Sequence, residues 1–524
     1  MDMPAQLIAQ TYDHVPYDSK PFAQSHPARL AARARLFGLT PPDVATARVL
    51  EIGCASGGNL IPMAMAYPKA RFVGIDVSAT QIADGRARIG RLGLSNIELR
   101  QQSIAEISER DGAFDFIVCH GVYSWVPAEV RAAILRTTHD NLTGHGVAYI
   151  SYNVFPGWRL RGTLRDAMLF HIDSETDPRR KIARAREFLN QLAEITDAAS
   201  PYGQMLRQEA RALAGMGDHY LFHEFLELDN APCYVTDFLV RVRNARLEYL
   251  TEANLNITIA ESFGESTGKL LRDLSGNALD RMEQYIDFLT GRTFRQSLLV
   301  RDTQASKIQR QLSQERLAGL HLSANLEVRD DGAGTVFNDH SGRTLTTQSR
   351  FVRTALAHLA GIYPQTQTPE ALAIWAAEVN GCAAATGQED GELRDALFKM
   401  ILTGMVEMAT EPITAAGAAP EKPLATALAR ADGRDRRGWT SNGQHEVVPL
   451  SIVAHAILPL LDGTHDHGSL EGAVAKAVSN DMIVLQREGK RLDDPAEIDD
   501  AVREHVLASL TQLAKAGLLV DRAA

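Results

Sequence analysis

The 524-residue chain has few cysteines, no long apolar run and an N-terminus without positive charge. The four cysteines are far apart and form no Cys-x-x-Cys pair, which argues against a disulfide framework and against a zinc ribbon. No apolar run approaches the ~20 residues of a membrane span. The first lysine or arginine is Lys20, so the chain also lacks the basic start of a secretory signal. We therefore expect a cytoplasmic protein without a membrane span.

Positive charge is also in deficit along the chain as a whole. There are 54 Lys and Arg against 65 Asp and Glu, a net charge of −11. Such a chain repels a phosphate backbone, so we expect no nucleic-acid partner. An acidic surface would instead suit a basic partner, including a lysine-rich protein. At roughly 150 residues per domain, the length predicts two to four domains.

The most informative local pattern is an apolar strand that ends at Glu51 and breaks into a glycine-rich turn. The spacing Gly53-x-x-x-Gly57-Gly58 lets the backbone approach a ligand, but it does not match the Gly-x-Gly-x-x-Gly pattern of dinucleotide-binding loops. A second apolar strand ends at Asp76. The two acids suit a ligand that carries both an amine and a ribose.

Strands and helices alternate in the first third of the chain. The predicted strands are Arg48–Gly53, Arg71–Asp76, Asn96–Arg100, Phe114–His120 and Gly146–Asn153. Helical patterns lie between them, including Ala79–Leu92 and Ala128–Asn141. This alternation predicts an α/β fold with a doubly wound parallel sheet that binds its ligand at the carboxyl ends of the strands.

The loop and its two acids resemble motif I of class I S-adenosylmethionine-dependent methyltransferases, with Ala55 in place of the family's middle glycine. The resemblance implies S-adenosylmethionine as the cofactor, with Glu51 near its aminoacyl end and Asp76 on its ribose hydroxyls. After strand three, where the family often has an acid for the adenine, this chain offers an amide or a hydroxyl. The implied cofactor-binding residues are Glu51, Gly53, Cys54, Ala55, Gly57, Asn59, Asp76, Val77, Gln102, Ser103, Ile104 and His120.

The same resemblance implies a Rossmann-like sheet of seven strands, completed by Leu247–Ala253 and an antiparallel Phe294–Val300. Two helical inserts, at about 162–235 and 259–291, would then form a substrate lid, a dimer surface, or both. The predicted units are an N-terminal lid segment (1–40), the methyltransferase domain (41–302), a middle domain of alanine-rich helices with short strands (303–430) and a winged-helix-like domain (431–524). For the aromatic- and proline-rich run 12–22 in the first unit, a plain surface arm is the alternative to a lid.

A winged-helix shape raises the question of DNA binding. Residues 440–524 contain 7 Lys and Arg against 13 Asp and Glu, so their net charge is 7 − 13 = −6. Because DNA binding requires cationic contacts, we expect this domain to contact protein instead. His219 and His223 have a spacing compatible with a metal, but no third ligand can be named, and no metal site is expected.

The loops after strands four and five provide the candidate catalytic residues. Methyl transfer from a sulfonium is an in-line displacement, and a lysine amine, with a pKa near ~10.4, must first lose a proton. His120 or Tyr123 could orient or deprotonate the amine, and the Trp125 ring could shelter a cation. Tyr152 and Asn153 follow on the next strand, where Asn153 could accept from a substrate N–H. The alternative for each aromatic is packing in the core.

The whole chain resembles a bacterial family that joins a class I methyltransferase core to a methyltransferase regulatory region and a C-terminal winged-helix-like module. Its studied members include lysine methyltransferases that act on outer-membrane proteins. The resemblance implies protein-lysine N-methylation, with a protein substrate and a possible homodimer; small-molecule O- or N-methylation and a non-enzymatic cofactor-binding regulator are the alternatives. The motifs that carry it are Glu51–Asn59, Gly74–Ser78, His120–Pro127, Tyr152–Trp158, His219–Tyr234, Glu283–Tyr285 with Phe294 and Arg295, and Asn442–Glu446 with Leu461–Gly463.

Overall fold

The computed structural model describes residues 19–227, 229–330, 334–487 and 490–521. Its centre is a mixed sheet of seven strands in the order β3-β2-β1-β4-β5-β7-β6. The strands are β1 (Arg48–Ile52), β2 (Arg71–Asp76), β3 (Ile97–Gln101), β4 (Phe114–Cys119), β5 (Leu142–Asn153), β6 (Leu247–Glu252) and β7 (Phe294–Arg301). The first five run parallel, and β7 is antiparallel to both β5 and β6. The predicted seven-stranded class I methyltransferase sheet is confirmed.

The α-helices cover both faces of the sheet and build the remaining units. In chain order they are α1 (Pro27–Leu36), α2 (Leu60–Ala66), α3 (Ala79–Leu92), α4 (Ala128–Asn141), α5 (Gly157–His171), α6 (Pro178–Ile195), α7 (Pro201–Ala214), α8 (Asp218–Leu221), α9 (Val235–Asn244), α10 (Glu265–Ser275), α11 (Leu279–Thr290), α12 (Arg350–Gly361), α13 (Pro369–Val379), α14 (Gly387–Thr403), α15 (Ala427–Arg434), α16 (Ile452–Ile457), α17 (His467–Ser479) and α18 (Pro495–Lys515). In the described part of the chain, each helix is too short or too polar to span a lipid bilayer.

Two hydrophobic cores lie on opposite faces of the sheet. Successive strand residues point to opposite faces, so Val49 joins one core and its neighbour Leu50 joins the other. The first core contains α1, α2 and α3 and continues into the middle domain. The second contains residues of α4 and α9. Because both faces are covered, the strands are apolar on both sides, and only the strand ends are open to a ligand.

The helical insert after β5 forms a separate small core. Helices α5 to α8 pack together with a π-helical turn at Phe222–Leu226. The second insert, α10 and α11, is attached to the sheet by a buried ion cluster. Arg295 on β7 is fully buried and donates to the carboxylates of Glu252, Glu283 and Asp287.

The middle domain combines α12 to α14 with short strands. Strand β8 (His321–Ser323) pairs with β12 (Glu407–Ala409), and β9 (Leu326–Asp330), β10 (Thr335–Asp339) and β11 (Thr344–Thr347) form an antiparallel sheet. Strand β9 is largely exposed: Leu326 and Val328 alternate with polar residues, yet Val328 is an exposed apolar side chain.

The C-terminal domain contains α15 to α18, the hairpin β13 (Trp439–Ser441) with β14 (Val447–Pro449), and the short hairpin β15 (Gln486–Arg487) with β16 (Lys490–Arg491). Its core extends back to Ala416, so the packing begins earlier than the predicted boundary at 431. The domain docks on the methyltransferase unit, where Arg88 of α3 forms a buried ion pair of 2.6 Å with Asp432. The division into domains stays a prediction.

Candidate functional site

A cavity of about 1150 Å³ opens at the carboxyl ends of β1, β2 and β4. Ligand pockets usually measure about 300–1000 Å³, so this cavity has room for a cofactor and for part of a second molecule. One half is lined by the glycine-rich loop and by the residues after β2 and β3. The other half is lined by the segment after β4 and by the insert around α8.

The glycine-rich loop turns sharply because three of its residues have positive φ. Gly53 and Gly57 have φ +74° and Ala55 has φ +46°, the left-handed region in which a non-glycine residue costs roughly 1–2 kcal/mol. The turn aims the Ala55 amide at Asp76, and its N–H donates to Asp76 Oδ2 at 2.9 Å. Gly53 and Ala55 line the cavity, whereas Gly57 and Asn59, two of the implied cofactor-binding residues, are not among the described residues that line it.

Glu51 is a buried acid with one bonded and one unbonded oxygen. Its Oε1 accepts from Asn59 Nδ2 at 2.7 Å. Its Oε2 is buried and has no hydrogen-bond partner among the described residues. Burial, together with the nearby Asp76 carboxylate, raises the pKa of Glu51 to about 8. An unbonded carboxylate oxygen on a cavity wall is suited to an ammonium group, which fits the aminoacyl end of S-adenosylmethionine.

Asp76 and the segment after β3 form the neighbouring walls. Asp76 Oδ1 accepts from the backbone N–H of Ser78 at 2.9 Å, so the carboxylate is held at the strand end, where it suits ribose hydroxyls. The remaining implied cofactor residues on these walls are Cys54, Val77, Gln102, Ser103 and Ile104. Ile104 is buried and offers an apolar surface for a ring, beside the Gln102 amide. These residues fit the cofactor.

A strap of residues 19–26 closes one side of the cavity. Ser19 Oγ accepts from Gly58 N at 2.8 Å, and Phe22 N donates to Asn59 Oδ1 at 2.9 Å. The Phe22 ring lies against His120, with 3.9 Å between ring centroids, and lines the cavity. The strap begins with residues 19–22, the described part of the predicted lid run; residues 12–18 lie outside the described residues.

His120 and Trp125, two of the five catalytic candidates, line the cavity. His120 Nδ1 lies 2.8 Å from the Tyr149 hydroxyl. The ring is partly open to the cavity, yet burial lowers the pKa of its imidazole to about 4. His120 is therefore neutral at neutral pH and is a poor base for an ammonium. The Trp125 ring is held edge-on by Trp158, with 5.9 Å between ring centroids.

Tyr123, Tyr152 and Asn153, the other three candidates, are not among the described residues that line the cavity. Tyr123 and Tyr152 lie in the core against Phe238, with ring centroids 5.4 and 3.8 Å away. Asn153 is buried, and its amide donates to Asn230 at 3.2 Å. The expectation that these three contact the substrate is therefore corrected: the two tyrosines pack in the core around Phe238, and the Asn153 amide is bonded to Asn230.

The helical insert contributes cavity residues that the sequence analysis missed, above all Glu224 and Tyr220. Burial raises the pKa of Glu224 to about 7, and Arg161 Nη1 donates to its Oε1 at 3.3 Å. His223 lies beside them, with its Nδ1 2.8 Å from Glu227 Oε1. The spacing of His219 and His223 pointed to this helix, but the π-helical turn that carries Glu224 to the cavity has no sequence signal.

The described residues contain no group of three or more His, Cys, Asp or Glu side chains placed to hold a metal ion. The cavity itself presents carboxylates, aromatic rings and amides to a ligand.

Three family models match separate parts of the chain. Their descriptions are "Methyltransferase domain" for residues 49–146, "Predicted methyltransferase regulatory domain" for residues 217–301, and "PKMT, C-terminal winged helix domain" for residues 421–518. The second match includes β6, β7 and the turn that carries Glu224.

Relatives match the chain over almost its full length. The uncharacterized protein RP789 of Rickettsia prowazekii is 33% identical over 503 residues, which cover 93% of this chain and 89% of that protein. The structure of PKMT2 from Rickettsia typhi has a TM-score of 0.86 and 28% identity, over 96% of this chain and 100% of that one. The structure of PKMT2 in complex with AdoHcy matches with the same score and identity over 97% of this chain. With the sheet and the cofactor cavity, these matches show that the chain belongs to the family of S-adenosylmethionine-dependent class I methyltransferases that carry a methyltransferase regulatory region and a C-terminal winged-helix domain.

Proposed function

We propose that this enzyme methylates the side-chain amine of lysine residues in proteins. The observation that carries the proposal is the half of the cavity bounded by Trp125, Tyr220 and Glu224, which we call the acceptor end. A cavity lined by a carboxyl group and aromatic rings suits an amine on a long aliphatic chain, because the acid pairs with the ammonium and the rings pack on the methylenes. PKMT2, whose name abbreviates protein lysine methyltransferase, resembles this chain over its full length.

We propose Glu224 as the group that accepts the proton of the lysine ammonium. A carboxyl with a pKa of about 7 is partly ionised at neutral pH, and it is a stronger base than an ordinary glutamate. In the ionised state its carboxylate binds the ammonium and takes one proton, which leaves a neutral amine with a free electron pair. Bound S-adenosylmethionine supplies a methyl group on a sulfonium, and the sulfur keeps the electron pair of the broken bond. The new N–CH₃ bond leaves the positive charge on the lysine nitrogen.

The other residues of the acceptor end would orient the amine and exclude water. Arg161 holds the Glu224 carboxylate, and the Trp125 ring can cover the cationic nitrogen before and after transfer. His120 is neutral and held by Tyr149, so its role would be to shape the wall between the cofactor and acceptor ends. Alignment and water exclusion are the main requirements of an in-line methyl transfer.

The proposal is tested by incubating the purified protein with methyl-labelled S-adenosylmethionine and a cell extract that is then fractionated by size. Label in a protein fraction that maps to lysine supports the proposal. Label confined to small molecules supports the alternative of small-molecule O- or N-methylation and contradicts the proposal. Transfer to a protein side chain other than lysine also contradicts it.

The role of Glu224 has its own test, Glu224→Gln, with Glu209→Gln as the matched control. Glu209 also lies near Arg161, at 3.8 Å, but it does not line the cavity. We expect Glu224→Gln to lower kcat about 10²-fold or more and to remove an acid limb near pH 7 from the pH profile of kcat/KM. Burial raises the pKa of the Tyr220 phenol beside Glu224, so Tyr220 stays protonated across that range. An unchanged pH profile would exclude Glu224 as the proton acceptor.

We also propose a cytoplasmic location, which the four free cysteines support because reducing compartments keep thiols unpaired. A homodimer and the lack of a nucleic-acid partner stay predictions. Size-exclusion chromatography with light scattering tests the first, and a filter-binding assay at low salt tests the second.

A further inference from the structure

The tip of the β13–β14 hairpin reaches from the C-terminal domain to the cofactor site. His445 at this tip is buried, and its Nε2 lies 2.7 Å from Asn59 Oδ1, 386 positions away in the chain. Asn59 in turn donates to Glu51, the acid that faces the cavity. A side chain of the winged-helix domain is therefore two hydrogen bonds away from the expected partner of the cofactor's ammonium.

The Asn59 amide can be oriented in only one way by these neighbours. Its Oδ1 is approached by two donors, the backbone N–H of Phe22 at 2.9 Å and the imidazole of His445. Its Nδ2 donates to Glu51 Oε1 at 2.7 Å and to Ser25 Oγ at 3.2 Å. Because a flipped amide would set its NH₂ group against the Phe22 N–H donor, the two donors direct the NH₂ group at the carboxylate.

His445 acts as a neutral donor. Burial, with His26 and Arg29 nearby, lowers the pKa of its imidazole well below the ordinary value. The neutral ring has one N–H, and the Asn59 oxygen that faces Nε2 indicates that this nitrogen carries the proton. The His26 ring packs beside it, with 5.1 Å between centroids.

The hairpin tip is itself anchored on both sides. Arg29 of α1 donates to the carbonyl and the side-chain oxygen of Gln444, at 3.2 and 3.1 Å. Gln444 donates to the carbonyl of Pro364 in the middle domain at 2.7 Å, and the Tyr363 hydroxyl donates to Glu446 at 3.0 Å. These contacts leave His445 little freedom, so its hydrogen bond is preformed rather than acquired on ligand binding.

We propose that the C-terminal winged-helix domain completes the cofactor site, with His445 as a positioning residue that holds Asn59 and, through it, Glu51. The ligand class is an α-amino acid with a nucleoside attached, as in S-adenosylmethionine and S-adenosylhomocysteine. The proposal concerns cofactor binding only, so its test does not depend on which molecule accepts the methyl group.

The test is calorimetric titration of the full-length protein with S-adenosylhomocysteine. We expect His445→Ala to weaken binding about tenfold, the effect of one well-placed buried hydrogen bond, and His445→Gln, which retains a donor, to restore much of it. Val447→Ala, on an exposed position of the same hairpin, is the matched control and should leave the affinity unchanged. Should His445→Ala fail to fold, His445→Leu fills the space without donating and gives the same comparison.

A double-mutant cycle distinguishes positioning from general destabilisation. If His445 acts through Asn59, His445→Ala should change affinity less than about twofold in an Asn59→Ala background. The pH dependence gives a second readout, because a loosened amide raises the pKa of Glu51 and moves the acid limb of binding to higher pH. The groups that face Glu51 besides Asn59 are Asp76, Cys54 and Cys119, and none of them is altered. Additive effects in the cycle, or an affinity of His445→Ala equal to wild type, would overturn the proposal.

Discussion

Lowering the pH from 8 to 6 should weaken cofactor binding because Glu51 must be ionised to pair with an ammonium. Burial raises the pKa of this carboxyl to about 8 in the ligand-free protein. Its ionised fraction then falls from about 50% at pH 8 to about 1% at pH 6. The ligand's α-ammonium, with a pKa near ~8, is about half charged at pH 8 and almost fully charged at pH 6, so its titration opposes the loss. The two effects together should lower the affinity about 25-fold.

The thiols and the imidazole beside Glu51 do not titrate between pH 6 and 8. Asp76 adds to the raised pKa, burial keeps the thiols of Cys54 and Cys119 protonated, and the pKa of His120, about 4, lies below this interval. The sign for stability is opposite to that for binding. A carboxyl whose pKa rises from 4.5 to about 8 on folding favours the folded state at low pH, and this contribution is lost as the pH rises through that range.

The assay is calorimetric titration with S-adenosylhomocysteine between pH 6 and 8, in buffers of different ionisation enthalpy, which counts the protons exchanged. We expect release of close to one proton on binding at pH 6 to 7. Glu51→Gln should bind weakly at every pH, without the proton release, and its ligand-free form should lose less stability than wild type between pH 5 and 8. A flat affinity profile for wild type, or an equal slope in Glu51→Gln, would refute the assignment of Glu51 to the ammonium.

Three further substitutions, two of them with a comparison variant, test the residues around the site. Arg295→Met should lower the free energy of unfolding by about 3 kcal/mol or more, because it leaves buried carboxylates without their partner. Arg243 forms an exposed ion pair, so Arg243→Ala should lower the free energy of unfolding by less than about 1 kcal/mol in the same denaturant titration. Gly58→Ala would set a methyl group 2.0 Å from a backbone oxygen of the strap and should weaken ligand binding about tenfold. Gly90→Ala places its methyl group in open space and should stabilise its helix by about 0.5–1 kcal/mol. Asp76→Ala should weaken binding by about 1.5–3 kcal/mol through the lost ribose contacts, and an unchanged calorimetric affinity would contradict its placement.

The sheet and the cofactor acids were predictable because their signals are local. Glu51 is the penultimate residue of β1 and Asp76 ends β2, and parallel strands bring their carboxyl ends to one edge. The segment after β4, where the sequence analysis expected the acceptor, does line the cavity, and the binding of the acceptor there stays a prediction. The choice of residues there was less successful: His120 and Trp125 line the cavity, and Tyr152 and Asn153 do not. The side chain's direction at a strand end depends on pleat and twist, which the residue type does not encode.

Glu224 and His445 could not be found from the sequence for a different reason. Glu224 becomes a cavity residue only because a separately packed insert returns over the sheet edge and contains a π-helical turn. Its raised pKa follows from burial, which is a property of the folded protein. The motif around His445 was noticed as a family feature, but its neighbour Asn59 lies 386 positions away.

The sequence by itself determined the class of fold, the glycine-rich loop and the two acids that line the cavity, because periodicity, glycine spacing and strand ends act over a few residues. Only the tertiary structure decided which polar groups are buried, paired and aimed at the cavity. Burial and long-range contact set the protonation of Glu51, Glu224 and His445, and these depend on how distant elements pack. The candidate cofactor-binding residues could therefore be predicted from the local sequence. The candidate acceptor end and the hydrogen bond between His445 and Asn59 could be found only in the folded structure.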